Sequence, residues 1–471
     1  MTGRHAIHHG IYLPFSHGVG QNHLQLNFTL LPSFLARAAN YSARMVGKWH
    51  LGANTVSATP TGRGFESYTG YWCGALDYET HQVAGPNGTT VYDFHNTTQS
   101  TDEALTDAYG TFSTTVFSAA AERIIHDHAS KADGRPLFLY LSWQNIHWPL
   151  QAPAEYITRF SNTTGGSHER NVVAAMIAFV DDAIGNVTRA LVTAGLDKNT
   201  VVVLVSDNGG PTNGNEGDAA SNFPLRGGKN TLWEGGTRVV GMIRGPGVAV
   251  GAVSNAYVHA SDWLPSLVSM ATGGKDFRDF APPGEPGFLV GDGLDVWKSI
   301  ASGGTAPSPR DWVLLEAHTD SAAVHGSALI VGDLKLLQYG ETAPVEEDGW
   351  FPPPGQDPAE TPYTVRCTAD GAPPHTGAAN IAQCKEPTWC LFNITEDPCE
   401  YFNLAAARPA DVITLQARLA VFAKTAVSPN YGSGCSPTVT CVSAPRSPKT
   451  KMDAVWPCDG KWGNVSKPCG D

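Results

Sequence analysis

The stretch VVVLVSDNGG, residues 201–210, gives the clearest indication of the fold class, because it joins a strand-like run to oxygen-bearing side chains. The run from Val201 to Ser206 is apolar nearly throughout, as is typical of a central strand in a parallel sheet. Asp207 and Asn208 follow at its end, and two glycines let the backbone turn away from them. Ligands of open α/β sheets bind at such strand ends, so this stretch predicts both a sheet and a site.

Strand-like runs and helical stretches alternate on both sides of this stretch. Residues 29–49 indicate a helix followed by a strand, and residues 136–143 indicate a second buried strand. Helical periodicity covers residues 107–128 and 171–195. This alternation predicts an α/β fold in which a large mixed, mostly parallel sheet is sandwiched by helices.

The pattern changes beyond about residue 300. Residues 311–317 and 327–340 predict antiparallel strands, with a turn at Gly332 and Asp333 between the last two. The remaining sequence is rich in proline and cysteine, which does not suit central strands. We therefore predict two domains. Residues 1–300 form the α/β domain, and residues 305–471 form a smaller C-terminal α+β domain with an antiparallel sheet and a disulfide-rich tail.

Composition and charge exclude several classes of protein. The chain has 471 residues, of which 42% are hydrophobic, so it can bury a substantial core. Acidic residues exceed basic ones by 44 − 31 = 13, and the basic residues are scattered, which argues against a nucleic-acid partner. No run of about 18 apolar residues is present, so we predict no membrane span. The sequence does not indicate an oligomeric state.

The cysteines indicate an oxidising compartment. Cys73 stands alone, while eight fall close to the carboxyl end: Cys367, Cys384, Cys390, Cys399, Cys435, Cys441, Cys458 and Cys469. Such an even, dense set is typical of disulfides; metal binding is the alternative, although no CxxC pair or Cys/His zinc spacing occurs among them. Eight N-x-S/T sequons point the same way: Asn27, Asn40, Asn87, Asn96, Asn162, Asn186, Asn393 and Asn464. We predict a glycoprotein of the secretory pathway, lysosomal or extracellular.

Several short motifs carry possible chemistry. Asp207 and Asn208 offer hard oxygen ligands for Ca²⁺ or Mg²⁺, although an ordinary Asn-Gly turn would also explain SDNGG. In GKWHLG, residues 47–52, Lys48 and His50 would lie on the same side of a strand and pair a cation with a proton carrier. The alternative is a solvated lysine and a hydrogen-bonded histidine.

Two further motifs lie at predicted strand ends or in loops. His147 follows the predicted strand of residues 136–143, and Lys229 lies in the glycine-rich loop RGGKNTLWEGG, residues 226–236. This loop lacks the GxxxxGK[ST] spacing of a phosphate-binding P-loop. Each residue alone could be structural or a surface charge. Together, the two histidines, two lysines, aspartate and asparagine form a set suited to binding a tetrahedral oxyanion.

Eight motifs follow one another along the chain: GKWHLG, PLFLYLSWQNIHWPLQAPAEY, VVVLVSDNGG, FPLRGGKNTLWEGG, ASDWLPSLVSMA, GDGLDVW, WFPPPGQ and LFNITEDPCEYFNLA. Together they resemble those of the arylsulfatases, and most of all the arylsulfatase B type. The resemblance implies the alkaline phosphatase-like sulfatase fold and a sulfuric ester hydrolase that acts on a sulfated small molecule or glycan. It also implies that Asp207 and Asn208 bind a divalent cation, Ca²⁺ more readily than Mg²⁺.

The resemblance assigns catalytic roles to four residues. Lys48 and Lys229 would hold the sulfate oxygens. Lys229 and His147 would neutralise or protonate the departing oxygen, and His50 would remove a proton when sulfate is released. Such roles need these residue types, because fixed cations stabilise charge on sulfate oxygens and an alcohol leaves poorly unless it is protonated.

The chain departs from the family pattern at its amino end. The family nucleophile is a formylglycine made from a C/S-x-P-S-R motif that precedes L-x-TGR, and MTGR at residues 1–4 resembles the end of that stretch. No such motif occurs in these residues, and neither a signal peptide nor the first family strand with its paired aspartates is present. We expect an incomplete sulfatase gene product or gene model that is inactive as written.

Two other interpretations of the function remain open. An inactive sulfatase-like protein could bind sulfated glycans or a protein partner. A phosphomonoesterase or phosphodiesterase of the alkaline phosphatase superfamily would use a similar sheet with a Thr or Ser nucleophile. No additional Asp/His metal-ligand cluster accompanies SDNGG, which disfavours the phosphoesterase.

Overall fold

The computed structural model describes most of the chain. The described residues are 1–12, 23–84, 90–131, 133–161, 167–212, 219–282, 291–317, 326–340, 349–350, 384–428, 455–458 and 461–464. The sequons at Asn87 and Asn162 and most of the cysteine-rich tail lie outside these residues.

The larger part of the chain alternates helices and strands, as its sequence pattern predicts. Its elements are, in chain order, α1 (Ala6–His9), α2 (Leu31–Ala39), β1 (Ser42–Lys48), β2 (Ser67–Tyr71), β3 (Gln82–Ala84), β4 (Thr90–Tyr92), β5 (His95–Thr98), β6 (Asp102–Ala104), α3 (Ser113–Lys131), β7 (Leu137–Ser142), α4 (Ala154–Phe160), α5 (His168–Thr193), β8 (Val202–Val205), α6 (Glu234–Thr237), β9 (Gly241–Arg244), α7 (Trp263–Thr272) and α8 (Trp297–Ala301).

The main sheet has the strand order β6-β5-β2-β1-β7. Strand β1 runs parallel to β2 and β7, whereas the β2–β5 and β5–β6 pairs are antiparallel. In the parallel part, Gly47 is level with Gly70 on one side and Ser142 on the other. The carboxyl ends of β1, β2 and β7 therefore meet at one edge. The prediction of a mixed sheet is confirmed.

Helices cover both faces of this sheet. On one face, Phe34 of α2 and Leu264 of α7 pack with Phe138 of β7. On the other, Phe117 of α3 packs with Val46 of β1. Burying an apolar stripe of each helix against the sheet removes that surface from water, which stabilises the three-layer arrangement. The predicted helical sandwich is confirmed.

The structure corrects the expectation for residues 201–206. Strand β8 is not a central parallel strand in the described part of the chain, where it pairs antiparallel with β9. Val205 is 45% exposed and Met242 of β9 is 56% exposed. An apolar run indicates that a strand is buried but does not indicate which strand lies beside it. The sequence alone therefore could not predict the pairing of β8 with β9. Val202 nevertheless packs on the same α5 residues as Leu137 of β7.

The helix predicted at residues 107–128 begins later, at Ser113. A short 3₁₀ turn at Thr106–Ala108 precedes it. Helix α5 ends at Thr193 with Gly195 at a φ of +71°, a backbone conformation that favours glycine, as expected for a helix end. Among the described residues, α5 is the helix long and apolar enough to span a membrane by length and composition, and it packs on α3 and α4. The expectation of no membrane span therefore stays a prediction.

The smaller part of the chain contains an antiparallel sheet of order β10-β11-β12-β13. Its elements are β10 (Trp312–Ala317), β11 (Gly326–Val331), β12 (Leu334–Tyr339), β13 (Cys390–Asn393), α9 (Pro409–Ala423), β14 (Val455–Cys458) and β15 (Lys461–Asn464). The predicted turn at Gly332 and Asp333 joins β11 to β12, with Gly332 at a φ of +55°. Cys384 and Cys390 form a disulfide, and Cys73 is a free, buried thiol.

Two segments of the larger part pack against this second sheet. Ile7 of α1 is buried with Leu314, Leu329 and Leu419. Trp233, just before α6, lies in the core that Phe392 and its neighbours form. The division into domains of residues 1–300 and 305–471 stays a prediction, and its boundary falls between α8 and β10.

Candidate functional site

The end of β1 carries Lys48 and leads to His50. Gly47 has a φ of +108°, and a Cβ there would lie 1.8 Å from the carbonyl oxygen of Ser142, so only glycine fits. Lys48 is the last residue of β1 and is level with Tyr71 of β2. His50 lies beyond the strand at a φ of +51°. Strand alternation therefore does not extend to His50, and that part of the sequence argument is wrong.

The backbone of this exit is held by the turn that follows β2. The N–H of Trp49 donates to the carbonyl of Tyr71 at 3.0 Å, and the N–H of His50 donates to the carbonyl of Trp72 at 3.1 Å. The Asp93 carboxylate in turn accepts the N–H groups of Trp72 and Cys73, at 3.0 and 2.9 Å. A buried carboxylate thus fixes the turn after β2, and this turn holds the backbone of Trp49 and His50.

His95 neutralises this carboxylate. Its Nε2 lies 3.0 Å from Asp93, and its ring stacks on Trp72 with 3.6 Å between centroids. Burial alone would lower the pKa of His95, but Asp102 and Asp93 outweigh it and raise the pKa to about 9. His95 is therefore a buried imidazolium at neutral pH. Sequence reasoning missed this network, because Asp93 and His95 lie in no motif that signals chemistry.

His147 and Lys229 are in direct contact, although 82 residues separate them. The Lys229 Nζ lies 3.3 Å from Nε2 of His147, and Nδ1 of His147 lies 2.8 Å from the carbonyl oxygen of Trp148. A carbonyl accepts hydrogen bonds only, which assigns the proton to Nδ1. Nε2 of a neutral His147 then carries the lone pair that faces the ammonium.

The Asp207–Asn208 turn is joined to the loop that carries Lys229. Gly209 donates its N–H to the carbonyl of Gly236 at 2.9 Å, and Lys229 donates its N–H to the carbonyl of Gly210 at 3.1 Å. A Cβ at Gly209 would lie 1.7 Å from the Gly235 oxygen, so this close approach requires glycine. The two glycine-rich motifs therefore form one packed unit.

The chemistry of the turn suits a hard divalent cation. Asp207 is exposed and supplies a carboxylate, and Asn208 supplies an amide oxygen. Two side chains are fewer than the six or more oxygens that Ca²⁺ takes. In the part of the chain that the structure describes, no group of three His, Cys, Asp or Glu side chains could hold a metal ion. The residues fit the cation in type and supply part of its coordination.

Asp207 also acts on the ends of the neighbouring strands. Burial raises the pKa of Tyr71, and the charge of Asp207 raises it further; partial burial and the charge of Asp207 also raise the pKa of Tyr140, which is 38% exposed. Tyr71 is level with Lys48, and Tyr140 belongs to β7, the strand before His147. The structure thus brings Lys229, His147 and the Asp207 turn together, and Lys48 and His50 leave the sheet at the adjoining strand end.

Comparison with known proteins identifies the family. Residues 1–273 match the sequence profile of the family described as Sulfatase. This chain is a member of the sulfatase family. The predicted resemblance to arylsulfatases is confirmed: arylsulfatase J of Mus musculus is 34% identical over 449 residues, which cover 92% of this chain and 68% of that protein.

Two further comparisons place this sulfatase. N-acetylgalactosamine-6-sulfatase of Mus musculus is 27% identical over 324 residues, which cover 64% of this chain and 56% of that protein. The crystal structure of Ps i-CgsB in complex with k-i-k-neocarrahexaose superposes with a TM-score of 0.68 at 21% identity, covering 92% of this chain and 82% of that one. The predicted alkaline phosphatase-like sulfatase fold is thereby confirmed.

Proposed function

We propose that this sulfatase hydrolyses a sulfate ester, with the reaction centred on the contact between Lys229 and His147. The single observation that carries the proposal is the 3.3 Å distance between the Lys229 Nζ and Nε2 of His147. The loop that carries Lys229 is hydrogen-bonded to the Asp207–Asn208 turn. Charge that develops on sulfate oxygens is stabilised by a fixed ammonium, an imidazole and a turn able to bind a cation.

The cations of the site would bind the sulfuryl group. Lys229 and Lys48 would each donate to sulfate oxygens and stabilise the charge that grows there as the ester bond breaks. A divalent cation bound by Asp207 and Asn208, for which we propose Ca²⁺, would add positive charge beside the same oxygens. The overall charge of −13 makes this local concentration of cations necessary for any anionic substrate.

Proton transfer would fall to the two histidines. Nε2 of His147 faces the Lys229 ammonium, so a proton held between them can pass to the departing alcohol oxygen. His50, on the neighbouring strand exit, would remove a proton in the half-reaction that releases sulfate. Replacing Lys229 with Ala would remove both sulfate binding and this proton, and a loss of about 10²- to 10³-fold in turnover is expected.

The nucleophile sets the condition for activity. The 471 residues contain no C/S-x-P-S-R motif, and without a nucleophile the positioning groups alone leave only residual catalysis. We therefore propose that turnover requires a preceding segment with that motif. Hydrolysis of a chromogenic aryl sulfate by the 471-residue chain and by a chain preceded by such a segment tests this. Equal turnover by both chains would contradict it.

We propose that the substrate is a sulfated carbohydrate and that the enzyme meets it in the secretory pathway. The name N-acetylgalactosamine-6-sulfatase describes a carbohydrate sulfatase, and that protein is similar to this one over 64% of this chain. The Cys384–Cys390 disulfide supports passage through an oxidising compartment, lysosomal or extracellular. The second candidate is a protein that binds sulfated glycans without turnover, for which the contact of Lys229 with His147 would serve as the anion site. Saturable glycan binding by a chain that stays inactive with the added segment would establish it.

A further inference from the structure

A buried ion triad joins the small sheet to the segment that carries Lys229. The Lys335 ammonium on β12 lies 2.9 Å from Oε1 of Glu234 and 2.8 Å from Oε1 of Glu400. The three side chains are 0%, 4% and 0% exposed. Glu234 begins α6 and lies near the end of the Lys229 loop, and Glu400 lies in the segment after β13. The triad therefore crosses from one predicted domain to the other.

Backbone hydrogen bonds extend the connection along the loop. Oε2 of Glu400 accepts the N–H of Glu234 at 2.7 Å. The hydroxyl of Tyr339, on the same strand as Lys335, accepts the N–H of Leu232 at 2.7 Å. At the other end of the loop, Gly227 donates its N–H to the carbonyl of Gly349 at 2.8 Å. Residues 226–236 are thus held at both ends by residues of the smaller part of the chain.

Arg226 also holds the start of residues 226–236. The Arg226 guanidinium lies 3.5 Å from the ring centroid of Trp233 and 4.7 Å from that of Trp350. Its Nη1 donates to the backbone carbonyl of Glu400 at 3.4 Å. Cation–π stacking of a fully buried guanidinium fixes the start of the loop in the same way that the triad fixes its end.

The charges of the triad do not cancel when both carboxylates are ionised. Burial raises the pKa of Glu400 to about 7, Glu234 adds to this rise, and Lys335 opposes it. The other charged groups around the triad are Arg226 and the half-exposed Arg238, whose Nη1 lies 3.9 Å from Oε2 of Glu234. Desolvating three charged groups is costly, so such a triad is weak support for stability by itself.

We propose that Glu234, Lys335 and Glu400 are positioning residues, through which the small sheet sets the place of Lys229 and of the Asp207–Asn208 turn. The turn is included because Gly209 and Gly210 are hydrogen-bonded to Gly236 and Lys229. The value of this positioning for sulfate binding rests on the proposed function. The positioning itself is a property of the folded chain and is measurable without substrate.

Amide hydrogen exchange of the 471-residue chain tests the proposal. Lys335→Met leaves two buried carboxylates without their cation, so we expect amide exchange in residues 226–236 and 207–210 to rise roughly a hundredfold. Exchange in β1 and α9 stays unchanged. Arg408→Gln, which removes an exposed ion pair with Asp411 at 2.7 Å in the same part of the chain, is the matched control and changes neither region.

Two outcomes would overturn the proposal. One is unchanged exchange of residues 226–236 in the folded Lys335→Met chain. The other is an equal rise throughout β11, β12 and β13, which would indicate general loosening of the small sheet. If Lys335→Met fails to fold, the native chain is measured between pH 5 and pH 8 instead. After correction for intrinsic rates, opening of residues 226–236 should increase several-fold as Glu400 loses its proton, and a flat profile would refute the triad's role.

Binding of inorganic sulfate separates this proposal from the proposed function. Calorimetry is carried out on native, Lys335→Met and Lys229→Ala chains. Loosened exchange in Lys335→Met with no effect of Lys229→Ala on sulfate binding would sustain the positioning and contradict the function. Weaker sulfate binding in Lys229→Ala together with unaltered exchange in Lys335→Met would contradict the positioning and leave the function standing.

Discussion

Gly47 shows at the scale of one residue how the site depends on backbone approach. It lies one position before Lys48, and its φ of +108° lets β1 pass close to Ser142 of β7. Any side chain there would meet the carbonyl oxygen of Ser142 at 1.8 Å. Because that atom belongs to the backbone of a paired strand, it cannot move aside without breaking the ladder.

We predict that Gly47→Ala destabilises the chain by at least about 3 kcal/mol, since it adds overpacking to an unfavourable φ. Urea denaturation followed by fluorescence measures this. Gly110→Ala is the matched control, because Gly110 has a φ of +83° with no atom within 4 Å of a built Cβ. It should cost only about 1 kcal/mol. Equal losses in the two variants would show that contact with Ser142 is unimportant.

At the scale of elements, the strand ends are tied together by charge as well as by the sheet. The His95 imidazolium at the start of β5 pairs with Asp93 and lies 3.6 Å from Asp102 of β6. Through Asp93 it supports the turn after β2, and through that turn the backbone of His50. One buried cation therefore connects three strands to the exit of β1.

This network predicts a loss of stability in alkali. The pKa of His95 is raised in the folded chain from 6.5 to about 9, so its contribution is complete below pH 6.5 and is lost as the pH rises through 9. The shift corresponds to a loss on the order of 3 kcal/mol in the free energy of unfolding. Chemical denaturation at pH 6.5 and 9.5 measures it. His95→Gln should remove most of this pH dependence; an unchanged slope in that variant would assign it to other groups.

At the scale of the whole molecule, the contact between the start of α1 and the rest of the chain includes two buried histidines, His5 and His259. The His5 ring packs against the His259 ring with 4.4 Å between centroids, and the backbone N–H of His5 donates to the Asp292 carboxylate at 2.7 Å. Burial lowers the pKa of His5 to about 4 and that of His259 to about 3. The His5 ring lies 5.8 Å from that of Trp312 in the small sheet, so protonating His5 would weaken the packing between the two parts of the chain.

We therefore predict an acid limit of stability below about pH 5. A histidine with a lowered pKa contributes stability above pH 6.5 that is lost as the pH falls through its folded pKa near 4. Thermal denaturation between pH 3 and pH 7 should show a falling midpoint, and His5→Phe should flatten this fall. A His5→Phe chain that keeps the full acid sensitivity would contradict the assignment. Glu400 has the opposite effect on the pH dependence of stability. Because its pKa is raised to about 7 in the folded chain, its protonation at lower pH favours the folded state.

From the sequence alone, the fold class and the resemblance to sulfatases could be predicted, and six candidate residues could be named. Hydrophobic periodicity is local, and the motifs around Lys48, His147, Asp207 and Lys229 are short enough to be recognised in one dimension. The small antiparallel sheet was predictable for the same reason, since its turn at Gly332 has a local signal.

The contacts between distant residues depend on how the whole chain packs. The contact between His147 and Lys229 spans 82 residues, and the ion pair of Lys335 with Glu234 spans 101. The antiparallel partner of β8 and the left-handed conformation of His50 also contradicted the sequence pattern. Pairings of this kind depend on burial and on the desolvation of distant charges, which arise only when the chain is packed and which leave no periodic trace in the sequence.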